Sequence, residues 1–221
     1  MIYDPRKHHR QSHRLKSYDY SLSAPYFVTL CTEKFLCLFG KVEQDRMLPN
    51  QQGQMIERWA VEIQNKFSGV LVDTFQVMPN HIHAVFVIVG CGLDMAARFG
   101  IGVEDLDLES ADQNHGTPLP LGTAEHNRPV PQHPTLGKIV QWFKTMTTND
   151  YIRGVRQSGW PPFPKRLWQR DYFDHIIRNE VTLERTRDYI RNNPLYWSLE
   201  RDHPDRFYGD TFDQWLSQNE F

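Results

Sequence analysis

The stretch FQVMPNHIHAVFVIV, Phe75 to Val89, places two histidines, His81 and His83, one residue apart in an apolar run. Side chains two apart on a strand project to the same face, so the two imidazoles point together. The apolar residues occupy both faces. Phe75, Val77, Val85 and Val87 share one, and Ile82, Ala84, Phe86 and Ile88 share the other. A strand apolar on both faces belongs in the middle of a sheet. Residues Val70 to Val89 are therefore expected to form one central strand, with sheet pairing interrupted at Pro79-Asn80. A bare His-x-His is more often a pair of hydrogen-bonded core histidines than a metal site. Two imidazoles without partners would be costly to bury in such a strand, and neutral imidazole is a common metal ligand. The pair is thus a candidate site for one divalent ion.

Working outward, YFVTLCTEKFLCLFG (Tyr26 to Gly40) is rich in aromatic and β-branched residues and reads as a strand with a turn at Glu33-Lys34. Between it and the histidines, Ile56, Trp59, Ala60, Ile63 and Phe67 recur every three or four residues, a helical stripe facing a core. Downstream, Gly90 to His133 is dominated by Gly, Pro, Asn, His and acids, and a segment of that length suggests an insertion or a disordered linker. A short helix near Met95 to Phe99 is expected within it. Helical spacing returns with Leu136, Ile139, Val140, Phe143 and Met146. Arg166 to Arg178 reads as a further strand. NEVTLERTRDYIRNNP then reads as a helix capped by Asn179 and stopped by Pro194. This order of elements predicts an α+β fold, an antiparallel sheet covered by helices.

On the last helix Tyr189 and Asn193 lie four apart and share a face. Leu183 and Ile190 fall on a neighbouring face and can pack inward. Alone, this tyrosine is an ordinary surface residue. Beside a histidine-held metal it is a candidate nucleophile, activated because a phenol is weak at its free pKa, and a divalent ion could polarise a phosphodiester.

Composition narrows the class. The 221 residues carry 25 basic and 27 acidic side chains, which argues weakly against a nucleic-acid binder. The charge is unevenly spread. Arg6, Lys7, Arg10, Arg14 and Lys16 crowd the start against Asp4 alone, while Glu104, Asp105, Asp107, Glu109 and Asp112 cluster later. A basic arm suits an anionic polymer, and equally a solvated terminus. The three cysteines show no CxxC spacing, no run is long and apolar enough to span a bilayer, and the start lacks a signal peptide's apolar core. A cytoplasmic protein is expected, with no membrane partner.

Several segments together resemble one family. MPNHIHAVFVI looks like the histidine strand of the HUH single-strand nucleases and transposases, and DYIRNNP resembles the single-tyrosine helix of their smallest members. LGKIVQWFKTMTT, LWQRDYFDHIIRNE, RLKSYDYSLSAPYFVTLCT and CLFG are similar to segments of the REP-associated tyrosine (TnpA-like) transposases. The resemblance covers most of residues 10 to 197 outside the insertion. It implies a ferredoxin-like, RRM-like antiparallel sheet with helices packed on one side. The layout would be a basic arm at 1–20, the domain at 21–200 with a flexible insertion at 90–133, and a tail at 201–221.

The resemblance also implies a chemistry. His81, His83 and Asn193 would hold Mg²⁺ or Mn²⁺, and Tyr189 would attack single-stranded hairpin DNA to give a 5′-phosphotyrosine and a free 3′-hydroxyl. Candidate DNA contacts are Arg10, Arg14, Lys16, Lys144, Arg170, Arg178 and Arg185, with Arg187 and Arg191 on the same helix. His175 is a possible accessory residue positioning the phosphate or the tyrosine, although a packed structural histidine is the better explanation. The protein would be a nucleoid-associated bacterial one, a monomer or a homodimer. Two alternatives stay open: a domesticated hairpin-binding protein that does not cut, and a metal hydrolase of cupin-like fold.

Overall fold

A computed structural model of the protein describes residues 18–89 and 134–199. Arg10, Arg14 and Lys16, the segment 90–133 and the tail 201–221 lie outside the described residues. In order along the chain come β1 (Ala24–Cys31), β2 (Gly40–Glu43), β3 (Arg46–Pro49), α1 (Gln51–Lys66), β4 (Val70–Val77), β5 (His81–Ile88), α2 (Leu136–Ser158), β6 (Phe173–Ile176) and α3 (Glu180–Asn192). Short 3₁₀ turns occupy Glu33–Phe35 and Asn193–Leu199.

Four strands form one antiparallel sheet in the spatial order β4-β5-β1-β6, and β2 pairs with β3 as a separate hairpin. Setting the hairpin aside, the chain runs βαββαβ, with its third strand inserted between the first two and its last beside the first. That is the expected ferredoxin-like α+β arrangement.

The helices begin where side chains can satisfy the orphan amides of a first turn. Asn50 accepts from the Gly53 N–H, Thr135 from Lys138 and Asn179 from Thr182. The predicted stripe of α1 is buried at Ile56, Ala60 and Ile63. The stripe of α2 runs on to Tyr151 and Gly154, and the helix stops at Gly159, which adopts the left-handed conformation (φ 67°) natural to glycine. Met146, expected in that stripe, is only half-buried, and Thr147 takes the core position. Its hydroxyl donates to Phe143 O (2.7 Å) and accepts from the buried Trp168 indole (2.9 Å). The α3 helix ends at Asn192 as expected near Pro194, but the chain continues in 3₁₀ turns that tolerate the proline.

Two sequence expectations change. The span Val70–Val89 is two strands, not one. They are joined by a tight turn over Met78–Asn80, whose peptide groups bond back to the β1–β2 connection through Thr32 N–H to Asn80 O (2.8 Å) and Phe39 N–H to Pro79 O (3.0 Å). Phe75 and Val77 consequently face the same core as Ile82 and Ala84, not that of Val85 and Val87. A β-bulge at Asp73, between the pairs Val72–Phe86 and Thr74–Val85, brings the first half of β4 onto the same core. The extra residue reverses the alternation, so Val70, Val72, Phe75 and Val77 all meet the helical core. The expected strand Arg166–Arg178 is mostly loop. Only Phe173–Ile176 pairs in the sheet, and Trp168 makes a single bridge to Thr32.

The sheet buries both faces. Tyr26, Val28 and Leu30 of β1 with Ile82, Ala84 and Phe86 of β5 pack under α1 and α2, the two long helices of the expected helical layer. The opposite face carries Phe27, Leu71, Val85 and Val87, and the shorter α3 sits there through Leu183 and Ile190. Each of those two side chains contributes roughly 1.5–3 kcal/mol by leaving water. An ion pair fixes the helix more specifically. Arg187 grips the bulge residue Asp73 with two N–H donors, the Nε bond measuring 2.8 Å, and also touches Glu184. Side-chain exposure is only 12% and 8% for Arg187 and Asp73, so solvent screens the pair little. The neighbouring carboxylate raises the pKa of the guanidinium above its already high ordinary value.

Substituting Arg187→Met leaves Asp73 buried without a cation and should cost about 3 kcal/mol in urea unfolding. Adding Asp73→Leu should recover most of it. A single-variant loss under about 1 kcal/mol, as for an exposed pair, would show that this contact does not hold α3 to the sheet.

Candidate functional site

The face beneath α3 collects the chemistry-bearing residues. His81 and His83 project from β5 on that face and are 0% and 2% exposed. Their Nε2 atoms converge to 3.1 Å. Cross-strand pairing sets Thr29 of β1 opposite His83, and its hydroxyl lies 2.8 Å from His83 Nδ1. His81 Nδ1 lies 2.7 Å from the side-chain oxygen of Asn80. The Asn80 amide has a fixed sense because its Nδ2 donates to Phe35 O (3.2 Å). Lys34 and Phe35 adopt left-handed backbone (φ 59° and 54°), a strained conformation for non-glycine residues. It lies at the loop that presents this carbonyl.

These bonds define the ring states. Asn80 Oδ1 can only accept, so His81 Nδ1 carries the proton and Nε2 keeps its lone pair. Thr29 can donate or accept. When its hydroxyl donates, His83 carries its proton on Nε2 and hydrogen-bonds His81. When it accepts, both Nε2 lone pairs face one point at 3.1 Å, and a shared metal ion or a proton on one of them relieves their repulsion. Adjacent ligands of an octahedral Mg²⁺ at 2.0–2.1 Å stand about 3 Å apart. The pair therefore fits two neighbouring positions of such an ion. Among the described residues no group of three His, Cys, Asp or Glu could complete a metal site. Further protein ligation would fall to a neutral group such as Asn193. Two imidazoles and an amide would leave the ion's charge uncancelled, available to a phosphate.

Tyr189 enters from α3. Its hydroxyl is 3.5 Å from His83 Nε2, long for a hydrogen bond. Its ring meets His83 (centroids 5.2 Å) and stands edge-on to Phe27 (6.1 Å), which itself stacks on His83 (5.4 Å). Asn193, one turn on, caps α3 and is buried. The following 3₁₀ segment lays Trp197 against His81 (5.8 Å). His175 sits on the same sheet face, across from Phe27 in the β1–β6 pairing.

The expected DNA contacts scatter. Arg185, one turn before Tyr189, and Arg178, ahead of α3, are exposed. Arg170 is exposed far from this face, on the loop facing α2. Lys144 is engaged within the fold. Its ammonium donates to the carbonyls of Gln169 (2.8 Å), Asp171 (3.3 Å) and Arg170 (3.4 Å), so it pins that loop to α2. Arg187 is likewise committed to Asp73. Arg191 lies 3.8 Å from Asp188 on the exposed side of α3. Sequence reading missed Thr29, Asn80, Phe27 and Trp197. Asn80 alone left a local trace, as the polar residue between Pro79 and His81.

No family model matches the chain. An uncharacterized protein of Haemophilus influenzae is 30% identical over 200 residues, covering 88% of this chain and 93% of its own. A solved structure of a REP-associated tyrosine transposase bound to a REP hairpin aligns with a TM-score of 0.48 at 14% identity, covering 83% of this chain and 73% of that one. Among the described residues no helix is long and apolar enough to cross a membrane.

If Asn80 orients His81 for an ion, Asn80→Ala should weaken Mn²⁺ binding by about 10-fold or more, measured by calorimetry on protein without DNA. Thr29→Val should act in the same direction through His83. Unchanged affinity in both variants would mean that these partners serve only the fold.

Proposed function

We propose that the chain, which belongs to the same family as the uncharacterized Haemophilus influenzae protein, is a tyrosine-dependent strand transferase acting on single-stranded DNA, in the manner of a transposase. The observation that carries this reading is the convergence of the Tyr189 hydroxyl with the paired Nε2 atoms of His81 and His83. A phenol, two imidazoles with fixed outer hydrogen bonds and a nearby buried amide match what phosphodiester transesterification needs.

Tyr189 Oη attacks the phosphorus. The bond from phosphorus to the 3′ oxygen breaks, leaving the 5′ phosphate on the tyrosine. The phenol loses its proton to water, and the departing 3′ oxygen takes one up. No net hydrolysis occurs, so the free 3′-hydroxyl can reverse the step or join another strand. A Mg²⁺ or Mn²⁺ held by His81, His83 and Asn193 would supply Lewis-acid stabilisation of the phosphoryl oxygens. The protein's own part is alignment. Phe27 fixes the His83 ring, Asn80 and Thr29 fix the imidazole orientations, and the Arg187–Asp73 clamp fixes the helix bearing Tyr189. Because the histidines are buried beneath Tyr189 and beside Trp197, the 193–199 segment must shift to admit a phosphate. Hairpin DNA is the substrate class in this reading, met in the cytoplasm.

The experiment is a denaturing gel of protein with labelled single-stranded hairpin DNA from repeats around its own gene, with Mn²⁺ or EDTA. A metal-dependent covalent band is expected with the native protein and none with Tyr189→Phe. His81→Ala and His83→Ala should lose the band yet keep hairpin binding on a native gel. A band that persists in Tyr189→Phe would exclude this nucleophile. Tight binding without any band, across metals, would favour a hairpin-binding protein that does not cut.

A further inference from the structure

A second surface lies on the helical side of the sheet, away from Tyr189. A groove of about 1060 Å³ runs between the outward face of α2 and the loop 166–172. Its α2 wall extends from Thr135 to Asn149, about 21 Å at 1.5 Å per residue. At the 3.4 Å rise of stacked nucleotides that length takes about six of them.

The lining has the chemistry of a nucleic-acid strand. Lys138, Arg166 and Arg170 give cationic rims against one carboxylate, Asp171. Gln141 and Asn149 present amides able to donate and accept. Tyr172 contributes an aromatic ring that packs in part against the core and carries the Lys144 ammonium 5.4 Å from its centroid. The groove is built, not incidental. Lys144 ties three loop carbonyls to α2. From the other side, Gln169 N–H donates to Cys31 O (2.9 Å) and its side chain to Thr32 O (3.1 Å). Cys31 pairs with His81 across the sheet. The loop that walls the groove is thus fastened to the end of β1 that pairs with His81.

We infer that this groove binds single-stranded DNA. The inference concerns binding alone. It supplies a substrate-docking surface for the proposed reaction and stands or falls separately from cleavage.

The test is fluorescence anisotropy of a short labelled oligothymidylate across a salt series. Lys138→Glu with Arg170→Glu, both at exposed positions, should weaken binding by about tenfold or more, and the salt slope should fall by about 1.4, or 0.7 per lost phosphate contact. The milder pair Lys138→Gln with Arg170→Gln should act in the same direction, with folding of both checked by circular dichroism. Arg58→Gln, an exposed cation of α1 outside the groove lining, should leave this affinity within about twofold. Unchanged affinity in the groove variants overturns the inference. So does failure of the native protein to bind at low salt, or equal competition by polyglutamate. The covalent-band assay at saturating DNA keeps the two readings apart. Binding through the groove with no band sinks only the cleavage reading, and a band with unaltered binding in the groove variants sinks only the groove.

Discussion

The antiparallel register of β5 against β1 is the constraint on which the site depends. It sets His83 opposite Thr29 and His81 opposite Cys31. Because side chains alternate across a strand, a slip of one residue would turn both imidazoles into the α1–α2 core and bring Ile82 and Ala84 to the other face. The slip is prevented from both sides at once. The core face of β5 is apolar without exception, and the turn before it is bonded to the β1–β2 connection through Asn80 and Pro79. Two buried imidazoles are tolerated because their nitrogens meet Asn80, Thr29 and each other.

The second constraint is the bulge at Asp73. With Val77 paired to Ile82 by the turn, a regular β4 would put Val70 and Val72 on the α3 face and leave the helical core short of two side chains. One extra residue corrects the alternation and, at the same point, frees a carboxylate for Arg187. The irregularity that completes one core thus anchors the helix covering the other. This couples the position of Tyr189 to the packing of β4, since Arg187, Tyr189 and the buried Ile190 share one short helix.

Charge is distributed to match. The chain is nearly neutral overall, yet its cations are not spent alike. Arg187 and Lys144 are used internally, as a helix clamp and a loop latch, while Lys138, Arg170 and Arg185 stay at the surface. Net charge alone could not separate these roles, because it counts a buried ion pair and an exposed cation by the same rule.

The α+β class, the stripes of α1 and α2, the Asn179 cap and the shared face of His81 and His83 were legible in the amino-acid sequence. Each follows from a local period of 2 or 3.6 residues or from a capping side chain. Tertiary structure alone decided the rest. The turn at Met78–Asn80 divides an apolar run that reads as continuous, and the bulge at Asp73 changes faces without any local breaker. Thr29, Asn80 and Phe27 join the site through cross-strand register and loop closure. Lys144 and Arg187, which look like surface cations on helices, find carbonyl and carboxylate partners 25 or more residues away. Periodicity specifies which side of an element a residue occupies, whereas pairing register and long-range contacts specify what stands opposite it, and a site is made of what stands opposite.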